Sequence, residues 1–82
     1  MLDEKTRELI AIGASITANC QPCLDYHITK ARELGVRNEE ILTAIKIGQQ
    51  VRRGGAGKMD RFAAQLAEGE NATVPSDDCG NQ

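Results

Sequence analysis

The segment from Asn19 to Leu34 carries a helix start signal at one end and a helix stop signal at the other. Asn19 is a good N-cap residue, and Pro22 follows in the first turn, where its missing N–H would have lacked a helical partner anyway. Gly35 comes directly after Leu34 and is the residue type best suited to the left-handed position that ends a helix. The sequence therefore predicts a helix with sharp bounds at both ends.

One side of this predicted helix is apolar, with two cysteines and a histidine among the apolar residues. At i, i+3, i+4 and i+7 spacing, this stripe contains Cys20, Cys23, Leu24, His27, Ala31 and Leu34. Polar residues occupy the opposite side. The pattern predicts that both thiols and the imidazole point toward the apolar core.

Two further helical patterns flank this segment. The first runs from Asp3 to about Asn19, and its inward residues are Leu9, Ile12, Gly13 and Ile16. The third begins at Asn38, a second N-cap residue, and its inward residues are Ile41, Ala44, Ile45, Gly48 and Val51. The glycine-rich stretch "RRGGAG" then favours a break or kink before a last helix, "KMDRFAAQLAEG", and the alternative is that its glycines let two helices approach closely. No strand-like alternation is present, so the predicted fold is all-α.

Composition limits the size and the class of the protein. The 82 residues suit one helical domain over residues 1–68, followed by a polar, flexible tail over residues 69–82. A core without Trp has to be built from aliphatic side chains, and so small a domain favours assembly into a homo-oligomer. No apolar run is long enough to cross a membrane, and no basic cluster with aromatics points to nucleic acid. Three cysteines without a secretory signal indicate the cytoplasm.

The spacing of Cys20 and Cys23 favours redox chemistry. At a helix start, free N–H groups and the helix dipole lower the pKa of a thiol, and i, i+3 spacing brings the Cα atoms to about 5 Å, within reach of a disulfide. Two alternatives remain open. The cysteines could be small buried hydrophobes, or they could bind zinc with His27 and Cys79. Cys20 and His27 lie about 10 Å apart along the helix axis, which argues against a shared ion.

His27 and Glu8 are candidate proton carriers. Histidine gains and loses a proton most readily near neutral pH, and His27 follows Cys23 by one turn, where a water can bridge the two side chains. Glu8 lies at the edge of the first helix's apolar stripe, where a carboxylate would need a partner. From the residues alone, an ordinary exposed glutamate is the stronger interpretation of Glu8.

Together these residues resemble a known pattern. Glu8, eleven residues, Cys20, two, Cys23, three and His27, followed by "ARELGVRNEEILTAIKIGQQV", are similar to the carboxymuconolactone decarboxylase superfamily, and within it to the AhpD-like alkylhydroperoxidase core. The resemblance runs from about residue 5 to residue 66. One departure stands out, because the AhpD pattern has a histidine where this chain has Pro22.

The resemblance implies a thiol-dependent peroxidase or disulfide oxidoreductase that needs no cofactor and no metal. Cys23 would attack a small hydroperoxide, Cys20 would resolve the product, and Glu8 and His27 would relay protons. The implied reductant is a dithiol of lipoyl, thioredoxin-like or glutaredoxin-like type, and the implied assembly is a trimer or hexamer. Lactone decarboxylation, or a non-enzymatic redox-sensing or metal-binding subunit, are the alternatives.

Overall fold

A computed structural model describes residues 1–69, which form three α-helices and contain no strand. Helix α1 spans Glu4–Thr17, α2 spans Gln21–Glu33 and α3 spans Asn38–Glu68. The all-α prediction is thus confirmed for this part of the chain. Cys79 and the rest of the predicted tail from residue 70 onward lie outside the described residues.

The chain divides into two compact units, and the boundary falls inside α3. The first unit, Met1–Gln49, contains α1, α2 and the beginning of α3, and the second begins at Gln50. The buried apolar core belongs to the first unit and consists of Ile12, Ala31, Val36, Ile41 and Ala44. In the second unit, large apolar side chains are more than half exposed, namely Val51, Met59, Phe62 and Leu66. Val51 was predicted to point inward, and at 51% exposure that prediction is wrong.

Helix α1 begins with a side-chain cap. The backbone N–H of Thr6 donates to the carboxylate of Asp3 at 2.8 Å, which satisfies one of the donors that a helix start leaves unpaired. The same backbone hydrogen bond lowers the pKa of the Asp3 carboxyl, because it stabilises the ionised form. The predicted start of the first helix is confirmed.

The junction between α1 and α2, residues 18–20, is called the first junction below. Asn19 has a φ of 56° and donates its N–H to the carbonyl of Ile16 at 3.1 Å, while the N–H of Cys20 reaches the carbonyl of Ser15 at 3.0 Å. These two bonds form a Schellman motif, which ends α1. The N-cap of α2 is Cys20, so the prediction of Asn19 as that N-cap is wrong. Asparagine tolerates the left-handed conformation better than most residues, and the end of α1 uses this property.

The junction between α2 and α3, residues 34–37, is called the second junction. Gly35 has a φ of 86° and donates its N–H to the carbonyl of Arg32 at 3.0 Å, and the N–H of Val36 reaches the carbonyl of Ala31, also at 3.0 Å. This is a second Schellman motif, with two buried side chains, Val36 and Ala31, at its ends. The predicted role of Gly35 as the helix stop is confirmed.

Helix α3 differs from its prediction at two points. Asn38 is already inside the helix, so it is not the N-cap; instead Glu40 accepts a hydrogen bond from the N–H of Arg37 at 3.1 Å, as in a capping box. The helix also continues without a break through the glycines of "RRGGAG". Each glycine costs about 1 kcal/mol relative to alanine but, unlike proline, removes no helical hydrogen bond.

Candidate functional site

The site is built around a disulfide at the start of α2. Cys20 is the N-cap and Cys23 is the third helical residue, and a disulfide joins them with their Cα atoms 5.3 Å apart. The expectation that helical spacing brings this pair within disulfide reach is confirmed. Pro22 lies between them in the first turn, as predicted, where it removes no helical hydrogen bond.

The backbone around Cys20 leaves few donors at this helix start. The N–H of Cys20 is occupied by the carbonyl of Ser15 in α1, and Pro22 has no N–H. The amides of Gln21 and Cys23 are therefore the first-turn donors that lack an intrahelical partner. After reduction of the disulfide, these amides and the positive end of the helix dipole would favour a thiolate at this helix start.

The two cysteines differ in exposure. Cys20 is half-buried, whereas Cys23 is exposed. The prediction that both thiols point toward the core is therefore wrong for Cys23. Further along the stripe the prediction holds, because Leu24 and His27 are half-buried and Ala31 is fully buried.

Glu8 and His27 form a close side-chain pair between α1 and α2. His27 Nδ1 lies 2.7 Å from Glu8 Oε1, and the side chains are 28% and 18% exposed. With an ionised Glu8 the imidazole donates through Nδ1–H, so the lone pair of the neutral ring lies on Nε2. The carboxylate thus orients the ring. The interpretation of Glu8 as an ordinary exposed residue is wrong.

Sequence reasoning missed two contributors to the site. The ring of Tyr26 meets the ring of His27 edge-on, with centroids 5.0 Å apart, and Tyr26 is 62% exposed. With that exposure, Tyr26 lies outside the core. Ser15, buried in α1, supplies the carbonyl that holds the Cys20 backbone. Asn19, a residue type that tolerates the left-handed conformation at a helix end, is the sequence signal that could have predicted this contact.

The arrangement places the His27–Glu8 pair close in sequence to the disulfide on α2. His27 follows Cys23 by one helical turn, a separation of about 6 Å between Cβ atoms that one water can bridge. Within residues 1–69, no group of three or more His, Cys, Asp or Glu side chains is placed to hold a metal ion. The described chain also has no helix with the length and apolar character needed to cross a membrane.

Comparisons with known proteins identify the family. The model of the carboxymuconolactone decarboxylase family matches residues 1–68, and the chain belongs to this family. The resemblance inferred from the sequence is thereby confirmed at the level of the superfamily. A curated relative from Paracoccus denitrificans, "Uncharacterized protein 4 in cox locus", is 36% identical over 55 residues, which cover 67% of this chain and 50% of the relative. The chain thus spans about half the length of that relative. No solved structure matches the chain significantly.

Proposed function

We propose that this chain is a thiol-dependent peroxidase or disulfide oxidoreductase of the AhpD-like type. The observation that carries the proposal is the combination of a Cys20–Cys23 disulfide at a helix start with a Glu8–His27 pair one turn away. Membership of the carboxymuconolactone decarboxylase family supports enzymatic activity in general. The pairing of thiols with a proton carrier favours redox chemistry within that family.

In the first step the exposed thiol of Cys23 loses its proton to Nε2 of His27 through a bridging water. The thiolate attacks a peroxide oxygen, so that an S–O bond forms and the O–O bond breaks. The departing alkoxide takes the proton from the imidazolium and leaves as an alcohol. Glu8 stabilises the imidazolium through its contact with Nδ1, and Cys23 is left as a sulfenic acid.

In the second step the thiolate of Cys20 attacks the sulfur of Cys23. An S–S bond forms, the S–O bond breaks, and the hydroxide leaves as water after gaining, through solvent, the proton that the Cys20 thiol lost. The Cα separation of 5.3 Å allows this closure within one helical turn. A dithiol reductant of lipoyl, thioredoxin-like or glutaredoxin-like type then restores both thiols by exchange.

The setting of this cycle is part of the proposal. The cytoplasm supplies reduced dithiols, which suits a cysteine pair that has to be reduced again after each turnover. A trimer or hexamer would cover the apolar side chains that α3 exposes in the second unit, of which Met59, Phe62 and Leu66 are the largest. The cycle requires no metal and no organic cofactor.

The decisive experiment replaces Cys23 with serine. We expect purified Cys23→Ser to form no disulfide when treated with a stoichiometric alkyl hydroperoxide, whereas the wild type loses two thiols for each peroxide consumed. Thiol titration and mass spectrometry measure both quantities. Undiminished peroxide consumption by Cys23→Ser would overturn the assignment.

Lactone decarboxylation is the competing activity because it names the family. That reaction needs a proton donor for a carbanion, which the Glu8–His27 pair could supply, but it needs no cysteine pair. Two results together would favour the lyase. A Cys20→Ser, Cys23→Ser double variant would still decarboxylate a muconolactone, and the thiols of the wild type would not react with peroxide.

A further inference from the structure

We propose that Tyr26 is a positioning residue for His27, and that its ring holds the imidazole in the orientation in which Nε2 accepts the thiol proton of Cys23 through water. The inference rests on the proposed function and adds a fifth residue to the four assigned there. Tyr26 itself touches no reacting atom and acts only through the imidazole. Two observations support it, the ring contact between Tyr26 and His27 and the position of both residues one turn after Cys23.

The contact between the two rings does not follow from their being neighbours in the chain. Consecutive side chains on an α-helix project about 100° apart and do not face each other. The rings of Tyr26 and His27 nevertheless meet edge-on, with centroids 5.0 Å apart and planes at 83° to each other. This is one of the arrangements that aromatic rings prefer. The contact therefore requires a particular combination of rotamers in both side chains.

The two contacts of the imidazole constrain it in different ways. Glu8 Oε1 lies 2.7 Å from Nδ1 and fixes the position of that one atom, about which the plane of the ring can still tilt. The ring of Tyr26 contacts the imidazole as a whole and limits this tilt. Nε2 lies across the ring from Nδ1, so its position follows the tilt. Both contacts are therefore needed to hold Nε2 in one place.

Both rings belong to the helical turn that follows Cys23. Tyr26 comes three residues after Cys23 and His27 four, and these are the separations at which helical side chains become neighbours. Long side chains on a helix lean toward its N-terminus, which for these two rings is the direction of Cys23. Because Tyr26 is 62% exposed, its ring can be removed without leaving a cavity in the core. Its role can thus be measured on a folded chain.

The first test measures the reactivity of a single thiol. In a Cys20→Ser, Cys79→Ser chain, iodoacetamide alkylates Cys23, and mass spectrometry follows the rate. We expect Tyr26→Leu to slow this reaction about fivefold at about pH 7, because a tilting ring keeps Nε2 within reach of the thiol for only part of the time. At about pH 10, where hydroxide removes the thiol proton directly, the rate should be unchanged.

Tyr26→Phe is the matched control, because it keeps the ring and removes only the hydroxyl. Its alkylation rate should stay close to that of the parent chain at both pH values. Circular dichroism verifies that both variants are helical. Equal rates for Tyr26→Leu and Tyr26→Phe at about pH 7 would overturn the proposal. A loss of equal size at both pH values would also overturn it, since a general disturbance of the helix slows the reaction at any pH.

A second measurement observes the rings themselves. The chain contains one histidine and one tyrosine, so the NMR signals of His27 and Tyr26 are each unique. We expect nuclear Overhauser effects between the two rings, and their absence would contradict the proposal. Neither test uses a peroxide. A chain that consumes no peroxide would disprove the proposed function, while the alkylation rates and the ring signals would still decide the role of Tyr26.

Discussion

The first and second junctions have the same backbone hydrogen bonds but lead to different side chains. In each, a residue with positive φ follows the helix, and the N–H of the next residue reaches a carbonyl of the preceding turn. In the second junction that next residue is Val36, only 6% exposed and part of the core. In the first it is Cys20, half-buried and bonded to Cys23. The same turn geometry thus holds a core residue at one end of α2 and a disulfide-bonded cysteine at the other.

The residues with positive φ differ as well. Gly35 adopts this conformation without steric cost, whereas Asn19 adopts it at some cost because it carries a Cβ. The junction with the higher steric cost is therefore the one that positions the disulfide. Stability should depend mainly on the second junction, and activity mainly on the first.

The largest expected effect separates two glutamates, Glu8 beside His27 and Glu40 directly after the second junction. Glu8→Gln removes the negative charge beside His27 but keeps the shape of the side chain. We expect peroxide-driven disulfide formation to slow about 100-fold, or about 2.7 kcal/mol in the barrier. Stopped-flow measurement of thiol loss gives the rate.

Glu40→Gln is the matched control for this variant. Glu40 accepts the Arg37 N–H directly after the second junction and touches no reacting group. Its rate is expected to match the wild type. Equal slowing in both variants would show that Glu8 acts through folding, and an unaffected Glu8→Gln would remove it from the proton relay.

The next effect compares the residues that follow the two left-handed positions. Val36→Ala removes two buried methyl groups and should lower the free energy of unfolding by about 2 kcal/mol. Cys20→Ala, compared with the wild type in dithiothreitol, should cost less than about 1 kcal/mol, because Cys20 is half-buried and its side chain makes no capping hydrogen bond. Urea denaturation at one fixed protein concentration measures both. A larger loss for Cys20→Ala would reverse the assignment of roles to the two junctions.

The smallest effect concerns the left-handed residues themselves. Gly35→Ala should destabilise the chain by about 1 kcal/mol through the backbone alone, because the added Cβ meets only the Nζ of Lys5, at 3.9 Å. Asn19→Gly should stay within about 0.5 kcal/mol of the wild type, since relief at positive φ is offset by a more flexible unfolded chain. Thermal unfolding followed by circular dichroism checks both. If Gly35→Ala were neutral, the second junction would not depend on its glycine.

The helix bounds were largely predictable because their signals are local. Pro22 and Gly35 act through backbone geometry that depends on little beyond their own turn. Asn19 was assigned wrongly because asparagine suits both a helix start and a left-handed helix end. The choice between them depends on the carbonyls of Ser15 and Ile16, which belong to the preceding helix.

Glycine was the other source of error. The run from Gly54 to Gly57 was expected to interrupt α3 or to permit close helix approach, yet α3 continues through it. Close approach is seen at Gly48, where an added Cβ would lie 2.5 Å from the carbonyl oxygen of Gly13. Which glycine meets another backbone depends on tertiary packing, and the sequence pattern does not contain that information.

The sequence predicted which residues belong to the candidate site better than it predicted how they are arranged. Spacing placed Cys20, Cys23 and His27 on one helix, but the contact between His27 and Glu8 spans nineteen residues and depends on how α1 packs on α2. From the residues alone Glu8 was a weak candidate, and the family resemblance strengthened it. The exposure of Cys23 was missed because an apolar stripe on a helix does not indicate how far along that stripe another helix packs against it. The catalytic roles of all four residues stay predictions.

The first junction also has a consequence for insertions and deletions. Three residues separate α1 from α2, and the N–H groups of two of them, Asn19 and Cys20, are hydrogen-bonded to carbonyls of α1. The connection between Glu8 and the disulfide therefore contains no long loop that could absorb a change in length. One residue added to α1 between Glu8 and Ser15 would turn Glu8 by about 100° around the helix axis and away from His27. The number of residues between Glu8 and Cys20, eleven, therefore sets the position of Glu8 relative to His27. For this contact, that number matters more than the identity of most of the eleven residues.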